Sequence, residues 1–559
     1  MSWLSHESGS PVPDLPDAAL TRRSLLRSIA IVGGLAAFPA LVTACGSDGP
    51  AATSGGAGGA AKSLDVLKVA LPSSISSLDA SKEAGIMNYV VALLCQEALV
   101  GVGQDGSLQP ALAESWSRKD PKTYVYKIRS GVTFADGTPL TADDIVASLD
   151  LHAKKGSTSA FAYAYANVDK IEAGGPAEVT ITLKQPDASF AWTPSPGTLL
   201  VTSRKFIEAT GQDIGTPTGK ILGTGPYRVT EFAPDSHVTL ERNDAWWGGK
   251  APYRQIRLDF IPEESTRLLA MRGGSVDVAL NVPAEQIDQW KAVSGVELKT
   301  ASDRSLVTLA FNTAKKPWND IHVRKAVAHA VDRDGIVRSV LRGHGQVATT
   351  VTDPAQWGGV LGEAEVKSLY ESIPQYGFDL AKARAELALS SVPGGFSDVL
   401  TYPGSGPQLG RAALTLAQNL KTIGITLEVK EVPLEQWIAE LGKHASGIYL
   451  GWYFATTGDP SEYIQQLLNG AFVGENGSNI AEYADDEVTG LLDQAKKGTD
   501  EAARGKLLGE ALVKAAADVP YQPLWWGEAA TAFGPGVGAA DFGPYFFVGP
   551  WAAQLSTRS

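Results

Sequence analysis

The chain has 559 residues, of which 44% are hydrophobic and 19% charged, with 48 Lys and Arg against 61 Asp and Glu, a net charge of -13. This is the composition of an ordinary globular protein, too long for a single core. The acidic surplus excludes a nucleic-acid partner, because no basic surface is available to neutralise phosphates.

The first 63 residues read as an address rather than as fold. Thr21-Arg22-Arg23-Ser24-Leu25-Leu26-Arg27 leads into a weakly apolar run, Ser28 to Ala44, that Gly33, Gly34 and Pro39 interrupt and that is too short for a good membrane span. The run ends in Leu41-Val42-Thr43-Ala44-Cys45, which resembles a bacterial lipobox; the resemblance implies cleavage before Cys45 and lipid on its sulfur. Two acyl chains hold a soluble domain on a membrane where one barely does. Arg22-Arg23 resembles a twin-arginine export signal, the alternative being an ordinary basic segment with adjacent arginines. Residues 46–63, rich in Gly, Ala and Ser, are expected to be a flexible tether.

Beyond the tether, Leu67 to Leu71 alternates as a strand and runs into Pro72 to Asp79, whose Ser76 and Ser77 could serve a ligand or a plain connector. Ile86 to Leu99 has helical spacing, within which Cys95 reads as a buried thiol. Thr123 to Arg129 alternates as a strand, Asp136-Gly137 marks a tight turn, and Thr141-Ala142-Asp143-Asp144 opens a helix with its capping hydroxyl and its acids in place.

Here Pro110-Ala111-Leu112-Ala113-Glu114-Ser115-Trp116, Gly131 to Phe134 and Asp136 to Ile145 resemble the signature block of the family 5 extracellular solute-binding proteins, the oligopeptide-, dipeptide- and nickel-binding components of ATP-binding-cassette importers. Gly223 to Val229, Val238 to Asn243 and Trp246 to Gly249 are similar to its next block, and Phe311 to Thr313 with Trp318 to Val327 to a third. The resemblance reaches from about Leu64 to the C-terminus. It implies an α/β, two-lobed periplasmic-binding-protein-like (type II) fold with an extra subdomain inserted in the first lobe. The expected division is residues 64–102, 222–309 and 521–559 in lobe I, 103–221 in the insertion, and 310–520 in lobe II.

No Walker loop, G-x-G-x-x-G, H-E-x-x-H or G-x-S-x-G is present. The histidines are scattered, and Asp143-Asp144 and Asp485-Asp486-Glu487 fall at helix starts, where acids are stabilising without a catalytic task. No enzyme, metal or cofactor is called for.

The stretch Ile448 to Pro460, Ile-Tyr-Leu-Gly-Trp-Tyr-Phe-Ala-Thr-Thr-Gly-Asp-Pro, reads as a strand covered on both faces that breaks into a polar turn. Trp452 and Tyr453 point to opposite faces, so one can fill the core while the other faces a cleft, or both can be core. By resemblance this stretch lies at the cleft. The expected ligand-binding set is Ser76, Ser77, Gly451, Trp452, Tyr453, Thr456, Thr457 and Asp459, with Trp525 or Trp526 from Val519 to Trp526. Peptide is the family's default solute. Its peptide binders usually carry an aspartate just before Gly-Asp-Pro, where this chain has Ala455, Thr456 and Thr457, which leaves an oligosaccharide or other uncharged solute as the alternative. The resemblance implies a monomer that delivers its solute to permease and ATPase subunits; a lipid-anchored receptor or chaperone-like protein without transport is the other class considered.

Overall fold

The computed structural model describes residues 65–82, 86–455 and 457–558, all within one compact unit, Ala61–Ser559. Arg22, Arg23, Cys45, the tether and Thr456 lie outside the described residues. Among those described, no helix is long and apolar enough to cross a membrane.

A nine-stranded mixed sheet runs through the molecule. Its strands are β1 (Val66–Leu71), β2 (Tyr227–Ala233), β3 (His237–Arg242), β4 (Gln255–Phe260), β5 (Val278–Val282), β6 (Glu297–Phe311), β7 (Gln346–Val347), β8 (Ile448–Phe454) and β9 (Tyr521–Phe533). They lie in the order β8-β6-β9-β5-β1-β4-β3-β2, with β7 paired to β9. Two long strands, β6 and β9, carry the sheet from one half of the molecule into the other. Their pairing runs from Glu297 opposite Phe533 to Ser302 opposite Glu528, breaks, and resumes at Leu306 opposite Trp526. On one side of the break β9 pairs with β5 through Ala530 to Phe533; on the other, β6 pairs with β8 from Ser305 to Phe311.

Each half is apolar on both faces, as the period of two requires. In β1, Leu67, Val69 and Leu71 enter a large cluster that continues into the inserted region, while Ala70 faces a smaller one with Leu268, Met271 and Trp290. In β6, Val307, Leu309 and Phe311 face one cluster, and Leu306 and Ala310 the opposite one. The inserted region is built on a four-stranded antiparallel sheet of Ala113–Asp120, Thr123–Ile128, Glu178–Leu183 and Val168–Ala173, in that spatial order.

The signature residues have structural tasks. Thr141 caps the helix Ala142–Ala153 in a reciprocal capping box with Asp144, whose other oxygen accepts from the backbone N–H of Arg204 at 2.8 Å. The buried Glu97 accepts hydrogen bonds from Thr224 (2.7 Å), Trp247 (2.9 Å) and Trp246 (3.2 Å), which ties the second block together. One expected helix is shorter than its spacing implied. Ile86 begins a helix that ends at Ala92, because the carbonyls of Leu94 and Cys95 turn away to receive the N–H groups of Tyr227 and Gly225 at 3.0 and 2.9 Å. Cys95 is a buried free thiol.

Candidate functional site

The aromatic residues of β8 and β9 meet across β6 in two rows. Val307 is opposite both Trp452 and Trp525, and Leu306 is opposite both Tyr453 and Trp526, so each trio shares a face. Trp525 and Trp526 are both buried, in opposite clusters. Tyr453 belongs with the Trp526 face and packs edge-on against Tyr463, ring centroids 6.2 Å apart. Its ring folds back over Gly451: a methyl group there would lie 2.4 Å from Cε2, so only glycine leaves the room. Gly451 itself is buried opposite Thr308.

Coverage of β8 thins toward its end. Ile448 to Gly451 are buried, Trp452 and Tyr453 half-buried, and Phe454 exposed. Trp452 and Phe454, two residues apart on one face, stand with ring centroids 5.2 Å apart, the more accessible aromatic pair of this stretch. The strand is therefore covered on both faces only over its first four residues.

The turn that follows is built by acids. Thr457 donates from its backbone and its hydroxyl to Glu462, both at 2.8 Å. Asp459 is buried, accepts from Ser461 N–H at 2.8 Å, and receives Arg504 in a bidentate pair at 2.7 and 3.0 Å; Arg504 also holds Glu501. Burial pushes the Asp459 carboxyl upward, but the guanidinium and the hydrogen bonds overrule it and leave it below the ordinary carboxylate value. Both oxygens of Asp459 are thus committed to the protein's own groups. Between these residues Gly458 meets the other half of the molecule: a side chain on it would come within 2.7 Å of the Gly106 carbonyl and of Trp192, and 2.9 Å of the Tyr545 hydroxyl.

Ser77 sits at a different place in the fold. Its Oγ accepts from Asp79 N–H at 3.1 Å, its carbonyl from Asn88 at 2.6 Å, and Gly215 of the inserted region closes over it. Ser76, beside it, is exposed.

Sequence reasoning passed over several residues that gather at the break in the sheet. The Arg304 guanidinium stands 5.0 Å from the centre of the Tyr545 ring, and its carbonyl accepts from Ala455 N–H (3.1 Å) and the Tyr463 hydroxyl (2.9 Å). Ser302 reaches Asp353 at 3.3 Å, and Asp353 makes a capping box with Gln356. The one sequence signal was Asp303-Arg304 interrupting an otherwise strand-like run.

Residues 107–474 match the sequence profile of the bacterial extracellular solute-binding proteins, family 5 Middle. The chain belongs to that family. This family 5 protein is 27% identical over 467 residues to the glutathione-binding protein GsiB of Escherichia coli strain K12, covering 82% of this chain and 87% of that protein. Its fold is similar to HbpA2 from Haemophilus parasuis (TM-score 0.77, 23% identity, 88% of this chain and 100% of the other). It is also similar to the periplasmic binding protein DppA from Helicobacter pylori in complex with peptide STSA (0.72, 22%, 88% and 98%). NikZ from Campylobacter jejuni in complex with Ni(L-His) aligns with a TM-score of 0.72 at 19% identity over 88% of this chain and 99% of the other. The fold is the two-lobed one of periplasmic binding proteins, and the protein is a substrate-binding component of the kind that serves ATP-binding-cassette importers. Among the described residues, no group of three or more His, Cys, Asp and Glu could hold a metal ion.

Proposed function

We propose that this protein is a lipid-anchored receptor of an importer, which captures a small solute between its two lobes and hands it to a permease. Anchoring would be through Cys45 at the extracytoplasmic face of the membrane, after export directed by Arg22-Arg23. The observation that carries the reading is the family match over residues 107–474, joined to a turn after β8 that abuts Gly106, Trp192 and Tyr545 from the other half of the molecule. A ligand held there is buried by hinge closure, and its affinity follows from how much better the closed state binds.

The solute best supported is a short peptide or peptide-like molecule, in line with relatives named for glutathione and for a bound peptide. Trp452 and its neighbour Phe454 are the ligand-facing rings of this reading, together with Thr456 and Thr457, which follow them in the sequence. An uncharged sugar is the second reading, favoured by the same accessible pair of rings, which suits the apolar face of a pyranose. Native mass spectrometry of the gently purified protein tests both: a retained small molecule of peptide or sugar mass is expected. A protein that carries nothing and is stabilised by no member of a peptide and sugar panel would overturn the role.

A further inference from the structure

Gly458 is buried where the two halves of the molecule touch, and its own turn does not require a glycine. Its backbone lies outside the left-handed region, so an alanine could adopt the same conformation. What leaves no room is the other half. A methyl carbon on Gly458 would stand 2.7 Å from the Gly106 carbonyl oxygen, 2.7 Å from Cη2 of Trp192 and 2.9 Å from the Tyr545 hydroxyl. Carbon atoms in contact sit about 3.5 Å apart or more, so such a methyl would part the two faces by roughly 0.8 Å.

Both faces are backed. On its own side the turn is fastened by Thr457, through its two bonds to Glu462, and by Asp459, through Ser461 and the bidentate Arg504. On the other side Gly106 lies so close to the Tyr545 ring that a methyl on it would stand 2.9 Å from Cε2, and the Arg304 guanidinium stands over that ring. Trp192 and Tyr545 are themselves buried.

The contact also lies beside the strands that join the halves. Ala455 and Tyr463, which flank the turn, both donate to the Arg304 carbonyl. Arg304 occupies the register break between Ser302 and Leu306 with a left-handed backbone, φ of 60°. One half can turn against the other only about these strands, and a spacing fixed near a pivot is enlarged at the far rim.

We infer that Gly458 is a closure stop, a positioning residue that sets how closely the two halves approach and so the width of the cleft left to a solute. The inference rests on the solute-binding reading and deepens it: Gly458 acts on affinity through the spacing of the halves rather than by touching the ligand.

The full-length protein is compared with Gly458→Ala, with Trp192→Phe plus Tyr545→Phe, and with all three changes together. The two phenylalanines remove the indole tip and a hydroxyl that is buried without a hydrogen-bond partner, so that no bond is lost with the hydroxyl. Ligand-free Gly458→Ala should keep the parent's melting temperature and show a larger radius of gyration in X-ray scattering. In calorimetry with glutathione, trialanine and maltotriose, its affinity for the tightest probe should be about tenfold weaker than the parent's. Trimming Trp192 and Tyr545 in the same chain should recover part of both the radius and the affinity. An unchanged radius overturns the stop, as does a change that the trimmed pair leaves in full. A lowered melting temperature that the trimmed pair does not recover would mean that the glycine serves its own turn, and overturns it too. If no probe binds the parent and native mass spectrometry finds no retained molecule, the solute-binding reading falls, and the stop stands or falls on the radius and its recovery alone.

Discussion

Asp459 shows how a residue that marks a family need not touch its ligand. Its carboxylate is 2% exposed and spends both oxygens on Arg504, itself 3% exposed. Removing one partner of such a pair strands the other charge, so Asp459→Asn is expected to destabilise by about 3–5 kcal/mol in denaturant titration. The folded carboxyl lies below its ordinary value, so its contribution is present above the unfolded pKa, about 3.9, and is lost as pH falls through the folded one. The parent's stability should therefore fall more steeply below pH 4 than the variant's. Trp452 has the opposite character: half-buried, beside an exposed Phe454, it has area left to give to a ligand. Trp452→Ala is expected to weaken solute binding at least tenfold in calorimetry while the melting temperature changes little; unchanged affinity would remove it from the site. Alternation made the opposite orientations of Trp452 and Tyr453 legible in the sequence. Arg304 was not, because a positive φ and a register shift leave no trace in residue order.

At the scale of elements, most boundaries followed from local chemistry. The Thr141 cap and the apolar run of β8 stand where propensity and periodicity put them. The helix from Ile86 stops early because its carbonyls are claimed by a loop more than a hundred residues away, a long-range bond that spacing cannot reveal. Such bonds also place side chains in unexpected surroundings. His152, in the last turn of the helix Ala142–Ala153, is buried among Phe161 and Tyr165, and burial pushes its imidazole down to about 4. The folded state thus holds the neutral ring, whereas the unfolded chain takes up a proton near pH 6.5. Stability should decline as pH drops from about 6.5 toward 4, and His152→Gln should flatten that part of the melting-temperature profile. A profile of the same slope in the variant would assign the decline to other groups.

For the whole molecule, the two-lobed plan was legible through its signature blocks, whereas the ties between distant parts were not. Arg118 of the inserted region donates to the Gly498 carbonyl at 2.8 Å, and Lys496 stands 3.5 Å from Asp187. These contacts join the insertion to the helices Asp486–Lys497 and Glu501–Asp518, and they are partly open to solvent. Together they are expected to contribute about 1 kcal/mol to the association of the insertion with those helices. The double variant Arg118→Ala, Lys496→Ala should lose about fivefold in affinity, mostly through faster release, with a larger radius of gyration for the ligand-free protein in X-ray scattering. An unchanged radius and release rate would show that these contacts do not govern closure.

The position of β9 carries a consequence for how the chain is made. It lies between β5 and β6 and pairs with both, yet it is residues 521–533 of 559. Until that segment has left the ribosome, β6 and β8 have no sheet connection to the strands around β1, and β5 and β6 each present an unpaired edge. The nascent chain must therefore remain open, and exposed to edge-to-edge association, through nearly all of its synthesis. A chain ending at Pro520 should show no cooperative melting transition, whereas two successive transitions would mean that each half closes its own sheet without β9.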